Sequence, residues 1–414
     1  MPIETIIPAD CDVACPFVKK GSFSVLRSLV TLAAILGTIQ GLSVVADAAV
    51  YEEWLEGPSE SQRPLDQATE ASSFLLCATQ RSNPGGMQNI PSLCCPGWNR
   101  YAIFDFMFLQ RDNATSGAVI TEEIIGSQQV PVFTTRSMQP STGPGVRLFY
   151  GALGPDCTGW EVGYLGIYGM FGAVDRSSLT DSLVIPGGIG GVTPGWSSAD
   201  EVRPTYASSL NMFEANLFRY QCCPECSSDS WLWSHLGNKP VCHCSNWLFG
   251  FRWAGLEEQA DLNVLCCRVT SDVFTSYSVR TSSHMLGPQV GFRGRRQWKN
   301  WAVEGWAKAM LAGTILSSNA DPIFSSLAPT TIIRGPRRIT ETGVGFLGDL
   351  NYSVSRRLTQ SWWLRAGYNM IWLSGVALAP DQWDFTNTPT SGTTLVGGGG
   401  VFLHGANLGL EARW

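Results

Sequence analysis

The residues of this sequence that could carry chemistry are charged side chains recurring on one side of alternating stretches. Asp105, Arg147, Glu161, Glu214, Arg252, Glu258, Arg293, Glu304, Lys308, Asp349, Arg365, Glu411 and Arg413 take this position, beside Gln289, Asn351, Asn369 and Asn407. Alternation at period two puts such residues on one face of a strand. The set holds seven acids against six bases. A near balance of sign suits a polar channel lining or a network of ion pairs. A selective pore usually carries a surplus of one sign at its constriction, so the balance favours ion pairs.

Cysteine is the second candidate group. The chain holds 13 cysteines, and Cys222, Cys223 and Cys226 stand close to Cys242-His243-Cys244. That spacing is one that zinc sites use. Export to an oxidising compartment argues instead for disulfides among Cys222, Cys223, Cys226, Cys242 and Cys244, and free thiols are the third option. Catalysis by a histidine base is poorly supplied, because only four His occur. His235 and His243 fall in the Cys-rich stretch, while His284 and His404 fall by parity on the apolar face. No enzyme, cofactor or resident metal is expected.

The elements that must position these side chains are strands. In 101–109, Ala102, Phe104, Phe106 and Phe108 alternate with Ile103, Asp105, Met107 and Leu109. The same period returns in 344–354, 362–372 and 402–414, with aromatic residues near the ends. Such stretches match the roughly 9–11 residues that a bilayer strand needs. Ten strands are expected, at about 101–111, 144–153, 159–173, 207–220, 245–264, 277–296, 300–314, 341–355, 361–376 and 400–414; a hidden pair in the long gaps makes twelve. Short turns near 154–158, 297–299 and 356–360 alternate with long Gly-, Pro-, Ser- and Thr-rich gaps at 112–143, 174–206, 315–340 and 377–399. The long connection 221–244 breaks that alternation.

Composition agrees with an all-β membrane protein. Charged residues are 15% of the chain, with 16 Trp and 44 Gly, against about 25% charged in a typical soluble domain. Mean hydropathy is only +0.03, too low for a helical membrane protein. The net charge of −6 gives no nucleic-acid footprint. Lys19, Lys20 and Arg27 precede an apolar run, Leu29 through Val45, that ends at Ala46-Asp47-Ala48. This reads as a signal peptide with an extended leader over 1–48, followed by a loosely ordered segment over 49–100 on the periplasmic side.

The runs Trp247–Glu258, Gly287–Gly294, Leu364–Leu373 with Asp381-Gln382-Trp383-Asp384, and Gly405–Trp414 resemble strands of the planctomycete outer-membrane family called beta-barrel porin type seven. The resemblance covers about 100–414 and departs at the Cys-rich insert 221–244 and at the terminal Trp414. It implies a transmembrane antiparallel up-and-down β-barrel in the outer membrane and, by name alone, a porin. The expected function is passive passage of small polar solutes through an ion-pair-lined lumen. The alternative is a non-conducting structural or adhesive barrel acting through its long surface loops. Expected partners are outer-membrane lipid and the barrel-insertion machinery, which reads the strand ending at Trp414. No nucleic acid is expected, and the sequence leaves the oligomeric state open.

Overall fold

The computed structural model describes residues 100–154, 157–223, 242–267, 273–297, 300–324 and 331–414. The leader 1–48, nearly all of 49–100 and the centre of the Cys-rich insert, Cys226 included, lie outside the described residues. Among the described residues ten long antiparallel strands form one ring: β1 Arg100–Arg111, β2 Gly143–Leu153, β3 Thr158–Ala173, β4 Glu201–Cys223, β5 Cys242–Cys266, β6 Val273–Gln297, β7 Trp301–Ala320, β8 Arg337–Arg357, β9 Trp362–Val376 and β10 Gly399–Arg413. Each pairs with its neighbours in sequence, β3 with β4 included, and β1 pairs with β10, so the sheet closes on itself. The count is ten, not twelve. The shorter strands in the gaps belong to loops.

The register fixes the shape of the ring. From Tyr101 the pairs run through Gly151, Glu161, Asn216, Gly250, Gln289, Met310, Leu347 and Leu373 to Val401. On closing, Tyr101 faces not Val401 but Arg413, twelve residues further along β10. A stagger of this kind is what tilts the strands of a closed barrel.

Alternation decides which side chains point out. Phe104, Phe106 and Phe108 on β1 are exposed, and Tyr101, Ile103, Asp105, Met107 and Leu109 are buried. Phe213, Leu217, Phe249, Leu311, Val344 and Leu408 continue the outward apolar surface round the ring. A closed sheet has no unpaired edge, and an apolar outer face is the form a strand protein takes in lipid. The protein is a transmembrane β-barrel. No described helix is long and apolar enough to cross a membrane.

Several strand boundaries differ from the sequence reading: β4, β6 and β8 begin at Glu201, Val273 and Arg337, ahead of the expected 207, 277 and 341, and β7 ends at Ala320, beyond the expected 314. Strand β4 begins at Glu201, and the β4–β5 ladder continues to Cys223↔His243, so both ends of the insert expected at 221–244 are strand. The strands β4 to β8 are also long, at 23, 25, 25, 20 and 21 residues, while β1 and β2 have 12 and 11. The surplus stands beyond the bilayer on the side of the long loops, because polar alternation outside lipid reads the same as alternation inside it. This wall supports a cap. A three-stranded sheet of Val119–Ile125, Gln128–Thr134 and Leu183–Val184 and the turn Ala379–Gln382 belong to the loops on this side. Trp196, Ile189, Leu183 and Trp383 of the loops are buried with Val202, Ala260, Leu262 and Tyr277 of the wall.

Close packing inside the ring needs small residues beside large ones. A Cβ on Gly409 would stand 2.1 Å from the Asp105 carboxylate and 2.2 Å from the Phe104 carbonyl oxygen. Gly409→Ala is therefore expected to lower stability by about 1–3 kcal/mol, read from the denaturant midpoint of the refolded barrel. An unchanged midpoint would show that β1 and β10 lie further apart.

Candidate functional site: the filled lumen

Every polar residue expected on the inner face is buried inside the ring. Most belong to one network near the turn side. Cross-strand neighbours start it: Asp105 faces Arg147, Glu214 faces Arg252 and Lys308 faces Asp349 in the register. Arg147 donates to Asp105 and, at 2.6 Å, to Asn369. Arg252 reaches Glu214 at 2.5 Å and Asp349 at 3.0 Å, and Lys308 bonds Glu214 at 2.6 Å. Gln289 donates to the same Glu214 at 2.8 Å.

Longer reaches cross the lumen. Arg293 on β6 spans to Glu161 on β3 at 2.8 Å while holding Glu304 on β7 at 3.0 Å. Arg295 and Arg365 also meet Glu304, at 2.8 and 3.3 Å. Glu411 takes Arg295 at 3.2 Å and Arg413 at 2.5 Å. Asn351 donates to Asn369 at 2.7 Å, and Asn369 to Asn407 at 2.8 Å. At the centre lies Trp306, with Arg147, Arg293, Lys308 and Arg365 at 4.7, 5.3, 5.4 and 5.8 Å from its ring centroid. Such contacts attract a cation to the ring face. The indole N–H donates to Asp349 at 3.3 Å. A cavity between Arg147, Phe149, Met212, Glu214 and Arg252 measures about 10 Å³, room for one water at most.

Above this network the inner face turns apolar. Met107, Leu165, Met212, Met285, Met310, Leu347, Ile371 and Leu403 are all buried at the same level of the ring, and Leu378 of the 377–398 loop reaches down among them. The sequence reading singled out only the polar residues of this face. Alternation reports which face a residue takes, and says nothing of its height in the barrel.

Glu258 alone of the expected residues stands apart from the network. It is bound above the apolar level by Arg111 at 2.7 Å and Tyr206 at 2.9 Å, and it accepts the Ala379 backbone N–H at 2.9 Å. The Ala377 N–H bonds Ser283 at 3.0 Å. These bonds hold the start of the 377–398 loop in the mouth of the barrel. Further out, Arg334 donates to the Asp384 carbonyl at 2.5 Å, and Trp196 to Thr275 at 2.6 Å.

Arg111, Arg295, Trp306, Tyr101 and Tyr206 were missed by the sequence reading. Parity was a sufficient signal for Arg111 and Arg295, which share the odd positions of Asp105 and Arg293. Trp306 shares the even positions of Glu304 and Lys308, but its residue type added no signal, since aromatic residues also mark the lipid face. Of the cysteine candidates, Cys244 is disulfide-bonded, as is Cys157; Cys266 is bonded to its neighbour Cys267 at the loop end of β5. Among the described residues no group of three or more His, Cys, Asp or Glu could hold a metal ion.

His284 and His404 lie on the outward face. Ser282 Oγ is 3.1 Å from His284 Nε2, and the imidazole stacks on Trp253. A hydrolytic triad also needs a carboxylate or amide orienting the second ring nitrogen, and here Nδ1 lies over Gly255 instead. His404 Nδ1 bonds Tyr368 at 2.6 Å.

The cap has its own pH dependence. Burial pushes the Asp384 carboxyl up, but hydrogen bonds from Thr386 and Gly392 and the charge of Arg334 outweigh it and hold the group below its ordinary range. A lowered folded value contributes stability above the unfolded value, near 4, which is lost as pH falls through the folded one. Hydrogen-exchange protection of 384–392 should therefore be flat from pH 7 to about 5 and fall below about 4. Asp384→Asn should flatten the profile; an acid-induced loss that persists in that variant assigns it elsewhere.

No family model and no curated protein matches this chain. Among solved structures it is similar to the outer-membrane protease OmpT of Escherichia coli, with TM-score 0.41 and 12% identity over 78% of this chain and 98% of that one. It is also similar to the toluene transporter TodX of P. putida, with TM-score 0.20 and 12% identity over 77% and 91%. A Pseudomonas aeruginosa FadL homologue follows, with TM-score 0.23 and 9% identity over 76% and 90%.

Proposed function

We propose that this protein is an exported outer-membrane β-barrel, closed to unassisted diffusion, that acts through the folded cap on its loop side. The observation that carries this reading is the filling of the lumen at two successive levels, by the ion-pair network around Trp306 and by the apolar residues around Met310 and Leu378. Small barrels have interiors that side chains can fill, and open diffusion channels belong to rings of 16–18 strands. Ten strands stand near the filled end. Passive passage of small polar solutes would need a continuous polar path, and the Met- and Leu-lined level interrupts it. Inner charges add to the same reading, since acids and bases here neutralise one another and select for neither sign.

The leader over 1–48 supports export, and the resemblance to the planctomycete barrel family supports the compartment. Trp414, half exposed at the rim, leaves the last strand's apolar series on the face that insertion machinery would meet. The cap is the part of the molecule with surface to offer, and loops on a rigid scaffold are where recognition usually resides. Attachment to a surface partner is the role we assign it.

Planar-bilayer recording of the refolded protein tests the closure: the trace should stay free of stepwise conductance. Regular steps would return the function to solute diffusion. Excising 377–398 in cells should then abolish attachment while the barrel keeps its heat-modifiable gel migration.

A further inference from the structure

The outward face of the ring is not even. Two neighbouring rows of the register cross the seam where β10 meets β1. The row nearer the turns reads Trp362, Ala412, Ala102, Tyr150 and Val162, from β9 to β3. The row beside it reads Leu410, Phe104, Leu148, Tyr164 and Phe213, from β10 to β4. These residues border a trough of about 600 Å³, lined almost wholly by apolar atoms. Ala412 and Ala102, the smallest side chains of the two rows, form its floor. Tyr150 packs towards the turns, on Trp160 and Trp414, with ring centroids 5.6 and 6.4 Å away. At the two ends, Trp362 and Phe213 are 48% and 55% exposed.

We propose that this trough is a binding site for one long fatty acyl chain of a phospholipid in the turn-side leaflet. It is continuous with the apolar face that meets the bilayer, so lipid chains are what reaches it. The Tyr150, Trp160 and Trp414 rings settle at the boundary between headgroups and acyl chains, and the trough starts on the acyl side of that boundary. Crossing six strands at a spacing of about 4.8 Å gives it a run of roughly 24 Å. That is the reach of an extended long acyl chain, and a short chain leaves much of it empty. The strands of a closed barrel tilt, so the run is oblique. It leads from Trp362, at the turn end of β9, to Phe213, well inside β4. Bulk lipid is as apolar as the trough, so transfer out of water does not select the site. Packing selects it, because the floor and both walls contact the seated chain at once.

The site rests on the barrel fold alone, so its test is separate from lumen closure. The full protein in detergent is titrated with dipalmitoyl phosphatidylglycerol and read by native mass spectrometry. The first lipid should bind about fivefold more tightly than the second, because one site alone packs a chain on floor and walls. Dioctanoyl phosphatidylglycerol should lose that step, and dipalmitoyl phosphatidylcholine should keep it, since the site reads the chain and not the headgroup. A102F, which sets a ring on the floor, should bring first-lipid binding down to the level of the second. A366F, an equal change at an exposed outward position of β9 outside the trough, should leave it unaltered. Equal stepwise binding by the unsubstituted protein overturns the proposal, as does a first step equal for both chain lengths or confined to one headgroup. So does a first step that survives A102F in folded form, or one that A366F abolishes as well. A mass of two chains that A102F returns to one places a second copy of this chain in the trough instead. Should A102F fail to fold, A412F fills the same floor from the neighbouring strand, and the chain-length comparison on the unsubstituted protein decides.

Discussion

Glu304→Ala is expected to destabilise the barrel by about 3–5 kcal/mol, the usual cost of removing one partner from a buried charge set. Arg293, Arg295 and Arg365 all meet this one carboxylate, at 3.0, 2.8 and 3.3 Å, and the residues involved are almost wholly excluded from solvent. Without Glu304, Arg293 keeps Glu161, and Arg295 and Arg365 share Glu411. The loss is therefore excess positive charge inside the ring, not one bond. Denaturant unfolding of the refolded protein measures it through the shift in midpoint at constant slope. Adding Arg295→Leu to the alanine variant should recover part of the loss, because a well-packed apolar residue often replaces a buried charge without cost. A loss under about 1 kcal/mol, the range of exposed pairs, would mean that water reaches this level of the lumen.

The second large effect falls on Trp306. Trp306→Ala should cost about 3–5 kcal/mol, the range for emptying a buried aromatic site. Four cations border the ring, so the void would be lined by charge that has lost a favourable partner. Trp306→Phe keeps a ring face and most of the volume but forfeits the N–H bond to Asp349, and a loss nearer 1 kcal/mol is expected. The two substitutions should therefore separate clearly in midpoint; equal losses would assign the effect to the N–H group and not to the ring. Because the apolar level above is untouched, Trp306→Ala should remain silent in planar bilayers. Conductance from that single variant would show that Trp306 is the sole barrier.

Ten strands, their order and their inward faces were legible in the residues, since period-two alternation survives wherever one face meets lipid. The strand that runs through Ala102-Ile103-Phe104-Asp105 shows the limit. Its odd positions point inward, yet Asp105 joins an ion-pair network while Met107 and Leu109 join the apolar level above it. Strand ends were less legible because β4 to β8 run past the bilayer into the cap wall, where Tyr206, Leu262 and Tyr277 bury against loops with the same alternation.

By itself the sequence determined that the chain makes a membrane barrel and that Arg293, Glu161 and Glu304 face its interior. Only the tertiary structure decided that these three meet. Arg293 and Glu161 lie on strands β6 and β3, and their contact depends on the twelve-residue stagger and the narrow bore it closes. Periodicity is a local property of each strand and fixes direction; height and cross-lumen distance are properties of the closed ring. For the same reason the sequence displayed polar inner residues that suit a channel, and only the assembled ring, with Leu378 folded back among the methionines, filled it.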